Sequence, residues 1–193
     1  MNLMKAVLFL TLLSFAKTGW ADSDFIHAGW RGEIDTLKSS LARGVDVNAV
    51  DPEWGTALVG AVSNGRLEAL KLLLEAGANI DQVVNLNRCP CADTALRIAV
   101  QYHGLNTAKN AHHLEIAKML LEAGADVNIS VEGTTSLMTA IALEDTQMIQ
   151  LLRQHGATID APVELLLAAM EGDTKKVTTL LELIFLRLLS AVS

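Results

Sequence analysis

Aromatic residues are scarce in this sequence: four Phe, three Trp and one Tyr make up 4% of 193 residues, although 51% are hydrophobic. An apolar fraction built from Leu, Ala and Val suits stacked helices better than a β-sandwich. Cysteine is scarcer still, with only Cys89 and Cys91, so any thiol chemistry is confined to one short stretch. Basic charge is also short. Lys and Arg total 15 against 22 Asp and Glu, a net charge of −7, and an acidic surface repels phosphate backbones, which argues against a nucleic-acid partner. The motifs of several chemistries are missing: there is no glycine-rich phosphate loop, no Gly-x-Ser-x-Gly elbow and no His-Glu-x-x-His. Acidic residues mostly fall at positions expected to face solvent, not in acid/base pairs. The expectation is a chain that is not an enzyme, with no catalytic residue, cofactor or metal.

The N-terminal apolar run, Ala6 to Ala16, is shorter than the ~20 residues a spanning helix needs. Lys5 precedes it, and Gly19-Trp20-Ala21 places small residues at the −3 and −1 positions of a cleavage site. This pattern predicts a signal peptide over residues 1–21 and a mature chain from Asp22, periplasmic or secreted, with no stable membrane span after cleavage.

What the sequence does have is a repeat. A glycine followed by a short polar and β-branched tail recurs as Gly44-Val45-Asp46-Val47-Asn48, Gly77-Ala78-Asn79-Ile80-Asp81, Gly124-Ala125-Asp126-Val127-Asn128 and Gly156-Ala157-Thr158-Ile159-Asp160. The glycines are 33, 47 and 32 residues apart, two near-equal periods and one with 14 extra residues. Ser23, Thr56, Thr94 and Thr135 keep step and can cap a helix N-terminus with a side-chain oxygen. Ala28, Ala61, Ala99 and Ala140 follow at one fixed place, where a small residue lets two helices approach. Gly32 and Gly65 break the chain between a first and a second helix. Leu67, Leu70, Leu73 and Leu74 line the second helix at steps of three and four, and the marker glycine ends it in the left-handed conformation. One such unit cannot bury its helices alone, so several must stack.

These motifs resemble the ankyrin-repeat family over about residues 22 to 183. The fullest match is Leu114-Glu115-Ile116-Ala117-Lys118-Met119-Leu120-Leu121-Glu122-Ala123 followed by Gly124-Ala125-Asp126-Val127-Asn128. The family's Thr-Pro-Leu-His reads Thr56-Ala57-Leu58-Val59, Thr94-Ala95-Leu96-Arg97 and Thr135-Ser136-Leu137-Met138, without Pro or His. The resemblance implies an all-α solenoid of about five units, near 23–50, 51–83, 84–129, 130–160 and 161–193, with short hairpin-like loops. It also implies a protein-binding scaffold or regulator that grips its partner with hairpin tips and inner helices. Carried over by position, the contact residues are Asp51, Glu53, Trp54, Arg88 and Glu132 in the hairpins. Trp30, Arg31, Ser63, Asn64, Gln101 and Tyr102 are the corresponding residues at the ends of the first helices. Trp, Tyr and Arg are the types that anchor interfaces, while packing of Trp30 and Trp54 against neighbouring units is the competing expectation.

The 14 extra residues fall in the third unit, five in its hairpin and nine between its helices. The hairpin insertion holds Cys89-Pro90-Cys91, where an intraloop disulfide, two free thiols and intermolecular bonds all stay open. The interhelical insertion, Tyr102 to His113, holds His103, His112 and His113. A first helix separates the two insertions by roughly 12–15 Å, too far for one metal ion, and the adjacent histidines read as a solvated loop. Some exported bacterial members of the family are associated with peroxide defence. The resemblance therefore implies an alternative: a redox or haem-handling accessory factor using Cys89 and Cys91.

The fifth unit has Ile184 where the marker glycine should stand, followed by Phe185-Leu186-Arg187-Leu188-Leu189. Its second helix should run past Ile184, and its apolar residues cannot all face inward. Self-association through this C-terminus is one expected use.

Overall fold

The computed structural model describes residues 23–85, 92–104, 112–159, 164–165, 168–169 and 172–190. The predicted signal peptide, Arg88, Cys89 and Cys91 lie outside these residues. The chain divides into a unit ending at Gly156 and a second beginning at Ala157.

The first unit is a stack of helix pairs. The inner helices are α1 (residues 23–31), α3 (Ala57–Ser63), α5 (Ala95–Gly104) and α7 (Ser136–Ala142). The outer helices are α2 (Ile34–Ala42), α4 (Leu67–Glu75), α6 (His113–Glu122) and α8 (Thr146–Gln154). Inner helices touch inner ones, α3 with α5 and α5 with α7, and outer helices touch outer ones, α2 with α4 and α6 with α8. Helices of one pair thus pack on each other and on the neighbouring pair within this unit, as a solenoid must.

The local signals act as their chemistry requires. The Thr56 hydroxyl accepts from the Val59 amide at 3.1 Å, Thr94 from Arg97 at 3.3 Å and Thr135 from Met138 at 3.3 Å. Each satisfies one of the amides a helix start leaves unpaired. Ser23 differs from the expectation: it already lies within α1. Ala28, Ala61, Ala99 and Ala140 are fully buried, and each carbonyl but that of Ala99 accepts an amide five residues on, from Glu33, Arg66 and Asp145. That is the bond of a Schellman stop. It requires a left-handed residue one position earlier, met by Gly32 (φ 76°), Gly65 (φ 67°) and, without glycine, Glu144 (φ 55°). Gly44, Gly77, Gly124 and Gly156 end the outer helices in the same conformation, at φ 83° to 95°.

Tails and hairpins complete each repeat. The Asn48 side chain accepts from the Asn79 amide at 2.7 Å, the Asp81 carboxylate accepts from the Asp126 amide at 3.0 Å, and Asn128 Nδ2 donates to the Gly156 carbonyl at 3.2 Å. Polar tail residues therefore stitch each repeat to the next. The hairpins close by an Asp51–Gly55 bridge, by a Val131–Thr134 bridge and by an antiparallel ladder of β1 (Val84–Asn85) on β2 (Ala92–Asp93). This ladder carries the hairpin insertion.

In the second unit Ala168 is buried, Gly172 has φ 70°, and the Asp173 carboxylate accepts from the Lys176 amide at 3.0 Å. Helix α9 runs from Thr174 to Ser190, past Ile184 as expected without a glycine stop. Leu181 on this helix is half exposed. No described helix is long and apolar enough to cross a membrane.

Candidate protein-binding face

The inner helices and hairpins present two different surfaces. Over the second repeat the face is filled from within. Residues 57–62 of α3 are all buried. The Trp30 indole lies so close over Gly60 that a methyl group there would sit 2.2 Å from its ring. Trp30 Nε1 donates to the Trp54 carbonyl at 3.0 Å, and the two indoles meet edge to face at 5.3 Å. His27 also packs edge to face on Trp54, at 5.1 Å. Asp51 is the turn-former: one carboxylate oxygen accepts from the Glu53 amide at 2.7 Å and the Trp54 amide at 3.0 Å. Trp30, Trp54 and Asp51 thus hold the structure itself, each half-buried, while Glu53 and Arg31 remain exposed. Ser63 is half-buried, and the exposed Asn64 donates from its side chain back to the Gly60 carbonyl at 3.1 Å.

Between α5 and α7 the face is open. A groove of about 450 Å³ has Arg97 and Gln101 on one side and Met138, Thr139, Ala142 and Leu143 on the other, with Thr134 at one end. The polar side is held by Asp93. Arg97 Nε donates to one of its oxygens at 2.5 Å and Gln101 Nε2 to the other at 3.1 Å, while the Thr94 amide donates to the first at 3.0 Å. Asp93 and Arg97 are both buried. Burial pushes the Asp93 carboxyl above its ordinary value, with the hydrogen bond and charge of Arg97 pulling the other way. Sequence reasoning missed this group by placing acidic residues at the surface. The signal was present: Arg97 and Gln101 stand four apart on one face of α5, Asp93 stands four residues before Arg97 in the strand leading into that helix, and Arg97 stands where the family pattern has His.

Two further expectations need correction. Tyr102 and His113 do not belong to an insertion loop. Tyr102 lies in the last turn of α5, His113 begins α6 fully buried, and their rings stack at 5.3 Å. His113 is therefore not a solvated loop residue, although its neighbour His112 is exposed. His103 bonds through Nδ1 to Asp145, the residue whose other carboxylate oxygen caps α8 at the Met148 amide. Glu132, also expected at the partner face, is exposed at a hairpin tip with φ 52°.

Stacked helix–turn–helix units joined by hairpins, with an inner face built from first helices, define a repeat scaffold of the ankyrin class. The family model for ankyrin repeats in three copies matches residues 25–130 and 104–163, and the chain belongs to the ankyrin-repeat family. It is 31% identical over 163 residues to the ankyrin repeat protein YahD of Escherichia coli K12, covering 70% of this chain and 81% of that one. It is 31% identical over 137 residues to an ankyrin repeat-containing protein of Treponema pallidum, covering 70% of this chain but only 42% of the relative. A human protein, the transient receptor potential cation channel subfamily A member 1, is 29% identical over 143 residues, 62% of this chain and 13% of its own length. Members of this family are generally non-catalytic binding scaffolds, and protein partners are what the repeats imply.

Proposed function

We propose that this chain is an exported, non-catalytic binding module of the cell envelope that holds a protein partner on its concave inner-helix face and hairpin tips. The observation that carries this reading is the open groove between α5 and α7, where polar and apolar side chains face each other beside exposed hairpin residues. Export rests on Lys5, the apolar run to Ala16 and the small residues ending at Ala21.

A photo-crosslinking residue placed at Thr139, in the groove, should trap a protein in intact cells. The same residue at the outward-facing Lys118, whose side chain is 60% exposed, should not. Capture at Lys118 alone would place the partner on the outer helices and end the concave-face reading. The trapped product should carry a mature N-terminus at Asp22 by mass spectrometry. Retention of Met1 would remove the export step.

A further inference from the structure

The groove between α5 and α7 has a charge pattern that goes beyond a general protein-binding face. Its polar side is internally neutralised, because Asp93 accepts from both Arg97 and Gln101. Its other side is apolar at Met138, Ala142 and Leu143, with Leu143 36% exposed. Such a floor favours an apolar side chain over a charged one, since nothing in it would repay the lost hydration of an ion.

The two ends are different. Thr134 closes one end, and the hairpin carrying it has Glu132 at its tip. Leu143 closes the other, followed directly by Glu144, which lines the adjoining cavity of about 300 Å³ with His103 and Gly104. Both glutamates are exposed.

They are also the two non-glycine residues with positive φ among the described residues, at 52° and 55°. Glu132 occupies the first centre position of a two-residue hairpin, followed by Gly133 at φ 78°, where Asn or Gly is favoured. Glu144 occupies the turn that Gly32, Gly65 and Gly172 fill in other repeats. Non-glycine residues in this conformation are strained, and such strain concentrates where a site needs a particular side chain. The strain here sits on two like charges, at opposite ends of one groove.

We infer that the groove takes an extended segment of a partner protein with an apolar centre and a basic residue at each end, the basic residues meeting Glu132 and Glu144. The two acids lie roughly 15–20 Å apart, counting a helix rise of 1.5 Å per residue over α7 plus the flanking turns. An extended chain at about 3.3 Å per residue spans that in about five or six residues. The net charge of −7 steers the same kind of partner.

This inference rests on the concave-face reading above. Its test uses the full chain and three fluorescein-labelled nine-residue peptides at about 150 mM salt, where exposed charges more than about 8 Å apart are largely screened. One peptide has Leu and Val at its centre and Lys and Arg at its ends, one has the same centre with Glu ends, and one has basic ends with a Ser centre. By fluorescence anisotropy the first should bind at least about tenfold tighter than either other, because both the apolar floor and the charged ends contribute. The double variant Glu132→Lys with Glu144→Lys, shown folded by circular dichroism, should reverse the preference toward the Glu-ended peptide. Equal binding of the three peptides, no binding by the first, or an unchanged order in the double variant overturns the inference. Crosslinking from Thr139 separates the two levels: a cellular partner trapped there without any end-charge preference sinks this inference and leaves the concave face standing. Trapping only at Lys118 sinks both.

Discussion

The second repeat and the third-to-fourth repeat junction share one backbone plan and present opposite surfaces. In the second, α3 offers Gly60 to an indole from the preceding inner helix, α1, and Trp54 closes over that indole. The inner face is consumed by the protein's own packing. At the junction, α5 offers Arg97 and Gln101 and α7 offers Met138 and Ala142, and the space between them stays open. The repeat motif fixes helix ends and close approaches, and it leaves the inner-face positions free to be spent on stability or on recognition. The aromatic residues are the anchors sequence reasoning would choose for a partner, and here two of the three tryptophans serve the first purpose.

The largest effect that would break this comparison is at Asp93. Replacing it by Ala removes the carboxylate of a buried ion pair, and breaking such a pair from one side costs about 3–5 kcal/mol. Urea unfolding monitored by circular dichroism should show the midpoint falling accordingly. A loss under about 1 kcal/mol would mean that Arg97 finds other compensation and that the polar wall is not held by Asp93.

The pH dependence of the same residue has a definite sign. Burial raises the Asp93 pKa in the folded state, so the folded chain binds this proton more readily than the unfolded chain. The contribution of Asp93 to stability therefore falls as pH rises from the ordinary carboxylate value through the raised one. Asp93→Asn removes the titration, so the stability of the wild type relative to this variant should decline across that window. A rise would reverse the assignment of burial as the dominant cause.

Next in size is Gly60→Ala. The added methyl group would meet Trp30 at 2.2 Å, and overpacking of this kind costs about 1–3 kcal/mol. Tryptophan fluorescence should change with it, because the indole must leave its seat. If stability and emission are both unchanged, the second repeat is not filled as described and the contrast with the groove dissolves.

The smallest effect sharpens the contrast. Glu144→Gly relieves a left-handed glutamate and should stabilise the chain by about 1 kcal/mol, a thermal midpoint increase of roughly 2–4 °C at this size. A destabilised variant would show that the Glu144 side chain holds the fold, not only a partner.

Much of this architecture was legible from local chemistry. Thr56, Thr94 and Thr135 announce helix starts because a cap needs only the next three residues. Gly32, Gly65 and the four tail glycines announce stops because positive φ penalises every other residue. The buried alanines were legible by phase alone. What was not legible depends on neighbours distant in sequence. Trp30 and Trp54 are 24 residues apart, and nothing in either position says that one indole will cover Gly60. His113 reads as polar and adjacent to His112, yet the ring of Tyr102 receives it in the interior. Glu144 hides a glycine's conformation because the Schellman bonds are set by the backbone of the whole turn. Asp93 and Arg97 were legible in part, through their spacing of four, but their burial follows from how α5 meets its neighbours.

The side-chain bonds from Asn48 to Asn79, from Asp81 to Asp126 and from Asn128 to Gly156 fasten the tails of successive repeats to one another. Those tails are the one place where chain length is fixed. The hairpin of the third repeat closes on the ladder of Val84–Asn85 with Ala92–Asp93, so its five extra residues leave and re-enter the repeat side by side. Across all 14 extra residues the flanking tails remain joined, the Asp81 carboxylate accepting from the Asp126 amide. New sequence can therefore be tried at either place while its neighbours stay in phase, which is how a scaffold of this kind acquires a new specificity one loop at a time.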